Sequence, residues 1–312
     1  MRVAVIGGTR FVGPVTVRLL IDAGHEVCVA HTGTHEDEAV NSIEHLHGDR
    51  KGLLEERGAV EVWGPDVLID TFPGGATAEK GQQLARCAAR IGARVVAVSS
   101  MDVYQHCVDA GVADGGGFLQ LSIDPIPLNE DARKRQGPYP GGSAAHDNVA
   151  MEAALQEEHC PAVVLRPGAI HGPHPTTREW ELVRLIAQGQ RRLALPAGGV
   201  QVFHRVAVER VGRAIVAAAK YEPKDVWPCN VVDPFDWDYS GLARRVATIL
   251  DWKWEPEDVA FTATDHPWQV GHPVLCSDRR LRDTLGVQDP DPEDALRETV
   301  EWLWENREKL LH

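Results

Sequence analysis

Apolar residues run unbroken through Val3-Ala-Val-Ile6, the pattern of a strand covered on both faces. The chain then takes helical spacing, with Val15, Leu19 and Leu20 on one face, and stops at Gly24. His25-Glu-Val-Cys-Val-Ala30 resumes the extended pattern, so residues 1–31 read as a β-α-β unit. Further strands are predicted over Glu44-His-Leu-His-Gly-Asp49, over Val60 to Gly64 with Asp66-Val-Leu-Ile-Asp-Thr71, over Ala93-Arg-Val-Val-Ala-Val-Ser-Ser100, over Pro161 to Gly168 and over Val226 to Val232. Ala78 to Ile91 reads as a helix, and Ser143 caps another that runs to about Glu158. Helical stretches also lie within 174–200 and from Val206 to Tyr221, whereas 105–142, rich in Gly, Pro and Asp, reads as a long irregular excursion.

Alternating strands and helices predict an α/β chain: a doubly wound parallel Rossmann sheet with a smaller C-terminal substrate lobe. The core is expected over residues 1–170 with 203–235 returning to the sheet, and the lobe mainly over 171–202 and 236–312. Eight of the nine tryptophans follow residue 170, which suits packing of that lobe; an aromatic platform for a substrate is the alternative.

The first turn carries the chemistry. Gly7 permits a tight bend after the strand, the helix start offers unbonded N–H groups and a positive dipole end to a pyrophosphate, and Gly13 lets helix and strand approach closely. This predicts dinucleotide binding through Gly7, Thr9, Arg10, Phe11, Val12 and Gly13. Such sites place an acid or an arginine after the second strand for the ribose 2′ position; here His31 and Thr32 are neither. Asp49 reads equally as an adenine contact or a capping carboxylate, and Thr71 and Phe72 open a loop at the carboxyl edge, where ligands sit in open α/β sheets.

With 312 residues the chain can bury a large core, and it contains no 18-residue apolar run, so a cytoplasmic protein without a membrane segment is expected. A formal charge of −14 argues against a nucleic-acid partner, and six scattered cysteines without a CxxC pair argue for free thiols. His45 and His47 stand two apart, His171 and His174 three apart, and His266 and His272 flank Pro267-Trp268. None of these gives three or four ligands at usable spacing, so no metal is expected. Ser99-Ser100 lacks the Gly-x-Ser-x-Gly elbow of a serine hydrolase.

Several stretches together resemble the extended short-chain dehydrogenase/reductase family, the group of nucleotide-sugar epimerases and dehydratases. They are Gly7-Gly-Thr-Arg-Phe-Val-Gly13, Asp66 to Asp70, Ser99-Ser-Met-Asp-Val-Tyr104, Leu165-Arg-Pro-Gly-Ala-Ile-His-Gly-Pro173, Asn230-Val-Val-Asp233 and Ser277 to Gly286. The resemblance implies a nicotinamide cofactor, a small polar or sugar-like substrate and a homodimer. It also implies a tyrosine acid/base with a lysine four residues on, the lysine holding the nicotinamide ribose and lowering the phenol pKa. Counting back from Glu152 puts Asn148 at the lysine position and Ala144 at the tyrosine position, so both expected groups are missing.

Ser100 matches the family's substrate-polarising hydroxyl, and Asn148 can donate to a ribose hydroxyl but is neutral. His146 and Tyr139 are candidate proton carriers, with His171 a further one; each histidine can equally be a space-filling residue. Arg10 stands where the family has its middle glycine; it can pair with a 2′-phosphate, or else fan over the adenine or bond the protein's own carbonyls, and with His31 in place of an acid NADP has a slight edge over NAD. An atypical enzyme of oxidoreductase, epimerase or lyase type is the leading expectation. A catalytically silent dinucleotide-binding sensor or scaffold is the rival, and an RNA-binding member of the family a third reading.

Overall fold

The computed structural model describes residues 1–35, 38–72, 75–111, 123–137, 146–260, 270–288 and 291–312. Strand β1 (Arg2–Ile6) leads into helix α1 (Val12–Asp22), and β2 (Glu26–His31) returns parallel to β1 with Ile6 opposite Ala30. There follow β3 (Glu44–His47), two short helices α2 (Arg50–Leu54) and α3 (Ala59–Trp63), β4 (Val67–Asp70), α4 (Ala78–Ile91) and β5 (Arg94–Val98). The short α5 (Gln105–Asp109) precedes α6 (Asn148–Glu157), β6 (Ala162–Pro167), β7 (Ala169–His171), α7 (Trp180–Ala187) and β8 (Arg192–Pro196). The chain continues through β9 (Arg205–Ala207), α8 (Val208–Ala218), β10 (Val226–Val231), α9 (Tyr239–Ile249) and β11 (Glu255–Val259). It ends in α10 (Arg279–Asp283), α11 (Pro292–Glu305) and α12 (Arg307–Leu311).

Seven parallel strands form the central sheet in the order β10-β6-β5-β4-β1-β2-β3. This is the doubly wound arrangement expected from the alternation of elements. The order reverses between β1 and β4, so a crevice opens above their carboxyl ends, where the turns after β1, β4, β5 and β6 converge.

Alternation along the strands splits the core between the two faces of the sheet. Val3 and Val5 of β1 pack with Val17 and Leu20 of α1 and with Val211 and Ile215 of α8; Ala4 and Ile6 face Leu84 of α4 and Met151 and Leu155 of α6. A third cluster joins Leu182 and Ile186 of α7, Leu242 and Val246 of α9, and Leu296, Val300 and Leu303 of α11, with Trp180, Trp237, Trp252, Trp254, Trp302 and Trp304 partly buried against it. Packing of the C-terminal part therefore accounts for most of the late tryptophans. Among the described residues no helix is long and apolar enough to cross a membrane.

Two elements differ from the sequence reading. Val60 to Gly64 is helical, not extended: Val60 and Trp63, three apart, turn inward together, and Gly64 ends α3 in the left-handed region at φ 68. Helix α6 begins at Asn148, not at Ser143, because the Asp147 carboxylate accepts from the Ala150 amide at 3.2 Å and caps the first turn. Residues 138–145, including Tyr139, Ser143 and Ala144, lie outside the described residues, as does His266.

Candidate functional site

The glycine turn has the tight geometry its sequence predicts. Gly7 adopts φ 87, and a Cβ on Gly13 would lie 2.4 Å from the Gly8 carbonyl carbon, so no larger residue fits without backbone movement. Phe11 occupies the N-cap position of α1 at φ 48, and no side chain caps the helix. Within the first turn the Gly13 amide donates to the Arg10 carbonyl at 2.8 Å and Pro14 has no N–H, so Val12 and the dipole end of the helix are what the turn can offer a ligand. An aromatic residue at positive φ is strained, and this one is held by stacking on His174 at 4.5 Å between ring centroids. Phe72, at the end of β4, is a second such residue at φ 46. Its amide donates to Asp70 at 2.7 Å, and the Arg50 guanidinium, paired with Asp70, lies 5.2 Å from its ring.

Both phenylalanines face one cleft of about 420 Å³, lined also by Gly7, Arg10, Val12, Thr71, Ser100, His146 and Asn148. A second hollow of about 380 Å³ adjoins it and shares Ser100 and His146, adding Asp102, Thr176, Arg178 and Phe203. The two hollows thus meet at a hydroxyl and an imidazole.

Around that junction lies a polar cluster. The Ser100 hydroxyl accepts from the Asp102 amide at 3.1 Å, which leaves its own hydrogen to donate. His146 Nε2 donates to Asp102 Oδ2 at 2.9 Å, and Asn148 Nδ2 donates to Asp102 Oδ1 at 3.1 Å. The buried Arg135 donates from Nε to the Asp102 carbonyl at 3.0 Å and places Nη2 3.8 Å from the carboxylate. The Asp102 hydrogen bond raises the His146 pKa above its ordinary value, against a partial lowering by burial. With Nε2 committed to Asp102, Nδ1 is the ring atom left to exchange a proton.

Beneath this cluster, Ser99 Oγ donates to Glu152 Oε1 at 2.8 Å, and Arg166 clamps the same carboxylate through Nε at 2.9 Å and Nη2 at 2.7 Å. Arg166 Nη1 reaches the Tyr104 hydroxyl at 3.1 Å, which in turn donates to Asn230 Oδ1 at 2.6 Å. This buried network ties β5, α6, β6 and β10 together below the cleft.

Several sequence candidates have other employment. Asp49 caps α2, accepting from the Gly52 amide at 2.9 Å. Thr9 is buried, and Thr32 is exposed with its hydroxyl 2.9 Å from that of Thr34. His171, for which both a proton carrier and a space-filling residue were expected readings, lies in the interior. It is 1% exposed, with Nδ1 3.2 Å from the Thr299 hydroxyl and Nε2 3.3 Å from Asp233, and it lines neither hollow. His31 is buried, 2.8 Å from His45 at the sheet edge. Sequence reasoning missed Asp102 as the partner of His146 and Arg135 as a partner of Asp102; Asp102 stood inside the quoted Ser99-to-Tyr104 stretch, but nothing in the spacing signalled Arg135.

No family model matches the chain. The chloroplast stem-loop binding protein of 41 kDa b of Arabidopsis thaliana is 27% identical over 275 residues, 83% of this chain, and the match spans 66% of that protein's length. Among solved structures, dTDP-glucose 4,6-dehydratase from Streptomyces venezuelae, solved with NAD and TYD bound, superposes at TM-score 0.71 with 21% identity, covering 99% of this chain and 98% of its own. The UDP-glucuronic acid 4-epimerase of Bacillus cereus, in complex with UDP-glucuronic acid and NAD, gives TM-score 0.71 at 15% identity over 98% and 99%. UDP-glucose 4-epimerase from Thermotoga maritima gives 0.71 at 17% over 98% and 100%. Over almost its full length, then, the chain has the fold of the extended short-chain dehydrogenases/reductases, the NAD-dependent epimerases and dehydratases, in an atypical form with Asn148 where the resemblance calls for lysine.

Proposed function

We propose that the cleft binds a nicotinamide dinucleotide and that the adjoining hollow takes a small polar or sugar-like metabolite. The observation that carries this reading is that one cleft combines a helix N-terminus with no side-chain cap, a glycine turn with no room for a Cβ and two strained phenylalanines. Gly7, Arg10, Phe11, Val12 and Gly13 fit the diphosphate, Thr71 and Phe72 the opposite wall, and Asn148 the nicotinamide ribose. Arg10 favours NADP as a phosphate partner, while the Streptomyces and Bacillus structures above hold NAD.

When bound, the cofactor supplies or accepts a hydride. Ser100 donates its hydroxyl hydrogen to a substrate oxygen at the meeting point of the two hollows. His146 takes up or delivers a proton at Nδ1, in the role that a tyrosine holds in the related fold. Asp102 is a positioning residue: its carboxylate fixes the imidazole through Nε2 and favours the charged ring, and Arg135 and Asn148 hold that carboxylate in place. Incubation with NAD(P)⁺ or NAD(P)H and a panel of nucleotide sugars, polyols and small ketones tests the assignment. Turnover that falls at least about 100-fold in both Ser100→Ala and His146→Gln is expected. Tight cofactor binding with no turnover on any substrate would favour the silent sensor.

A second reading comes from the Arabidopsis relative, whose name describes stem-loop binding. A formal charge of −14 opposes it. A gel shift with a stem-loop RNA that weakens steeply with salt would establish it.

A further inference from the structure

Three histidines converge at the carboxyl end of the outermost strands, away from the cleft. His31 closes β2, and the parallel ladder sets it opposite His47, with Val29 opposite His45. Residues two apart on a strand share a face, so His45 and His47 project together, and the register brings His31 against both. Ring centroids are 5.0 Å apart for His31 and His45, 4.7 Å for His31 and His47 and 5.8 Å for His45 and His47. One possible ligand atom from each residue lies within 4.8 Å of the others.

We infer that this trio binds a divalent transition metal of the zinc class, its three imidazoles leaving the fourth coordination position to water or another ligand. Three imidazoles suit zinc, cobalt, nickel or copper and discriminate against magnesium and calcium, which take oxygen ligands. Metal–nitrogen bonds of about 2.0–2.1 Å place tetrahedral ligand atoms roughly 3.3 Å apart. Closing the remaining separation calls for His47 to turn toward the other two rings, exchanging its present contact for the metal.

The surroundings already orient one ring. His45 Nε2 is 2.9 Å from the Val40 carbonyl, which accepts its hydrogen and leaves Nδ1 with a lone pair toward the cluster. His31 Nε2 donates its hydrogen to that Nδ1 at 2.8 Å, so binding a metal releases this proton from Nε2 and replaces the hydrogen bond by two metal–nitrogen bonds. Metal on His31 Nε2 puts the ring proton on Nδ1, and the Gly33 amide, now 3.2 Å from Nδ1, turns to water; Gly33 is exposed and, at φ 76, lies in a flexible turn. A metal here cross-links β2 to β3, the last strand of the sheet. Because none of the three histidines lines the cleft or the adjoining hollow, the site stands whether or not the proposed chemistry does.

The test uses the full chain without a histidine tag, stripped with a chelator and titrated with Co²⁺. One equivalent should bind with the strong visible absorption of a four-coordinate nitrogen site, and Zn²⁺ should displace it. His47→Asn should weaken binding by at least about 100-fold, while His159→Asn, an exposed histidine elsewhere, leaves it unchanged. On the unaltered chain, one equivalent of Zn²⁺ should shift the imidazole resonances of His31, His45 and His47 together, a readout that does not depend on any variant folding. Absence of stoichiometric Co²⁺ binding, binding that survives replacement of all three histidines by Asn, or shifts confined to other histidines would overturn the inference.

Discussion

Glu152→Gln tests whether the network under the cleft holds the site together. Glu152 is 1% exposed and Arg166 0%, so the pair is fully withdrawn from water. The substitution conserves volume and keeps one acceptor oxygen for Ser99, but it removes the charge and points an NH2 group at a guanidinium held by hydrogen bonds of 2.9 and 2.7 Å. Removing one partner of a buried ion pair costs about 3–5 kcal/mol, against about 0–1 for a surface pair. Arg166 retains the Tyr104 hydroxyl at 3.1 Å and the Glu130 carbonyl at 3.0 Å, and Lys134, 2.9 Å from Glu152 but 40% exposed, can turn to solvent. The expected loss is therefore at the lower end, about 3 kcal/mol, which for a chain of this size lowers Tm by roughly 5 °C.

Urea unfolding and calorimetry measure both quantities, and Glu152→Met combined with Arg166→Met should recover most of the loss. The pH dependence supplies a second check. Burial pushes the Glu152 carboxyl up, but Arg166 and Lys134 outweigh it and hold the pKa below its usual value. A depressed folded-state pKa gives stability that is complete above the unfolded value of about 4.3 and is lost as pH falls through the folded value. That acid limb should shrink in the variant. Stability of Glu152→Gln within about 1 kcal/mol of wild type would refute the reasoning.

Three further outcomes follow from the geometry. Gly13→Ala, whose Cβ would sit 2.4 Å from the Gly8 carbonyl carbon, should displace the turn and weaken NADH binding by at least about 10-fold in a fluorescence titration; undiminished affinity contradicts the role of the turn. Arg10→Ala should weaken NADPH about 10-fold or more while sparing NADH, as expected for loss of a charge-assisted contact to the 2′-phosphate; equal weakening of both would assign Arg10 elsewhere. Asp102→Asn should lower the His146 pKa, read from the imidazole resonance across pH. The pairing stabilises fully below the unfolded histidine pKa and fades as pH rises through the raised folded value, so the variant should lose stability on the acidic side of that window; an unmoved resonance argues against the dyad.

The sheet was legible because its central strands are covered on both faces and read as continuous apolar runs, and because Gly7 to Gly13 lies between strand and helix. Val60 to Trp63 misled because a short apolar run rich in β-branched residues looks the same in a helix and in a strand. The start of α6 shifted because Ser143 and Asp147 are both competent caps, and only the Asp147 contact with Ala150 decides between them. At the site, motif spacing located Ser100, Asn148 and Arg10, whereas the pairing of His146 with Asp102 spans 44 residues and depends on how β5 and α6 dock. His31 escaped the histidine spacing for a similar reason: its neighbours are set by the β2–β3 register, which a linear sequence does not display.

The central claim is tested most directly by a crystal structure grown with saturating NADH or NADPH. A nucleotide whose diphosphate lies against the glycine turn at the N-terminus of α1, with its nicotinamide ring beside Ser100 and His146, is the predicted result. A cleft that stays without nucleotide, or a nucleotide bound elsewhere on the chain, would contradict it.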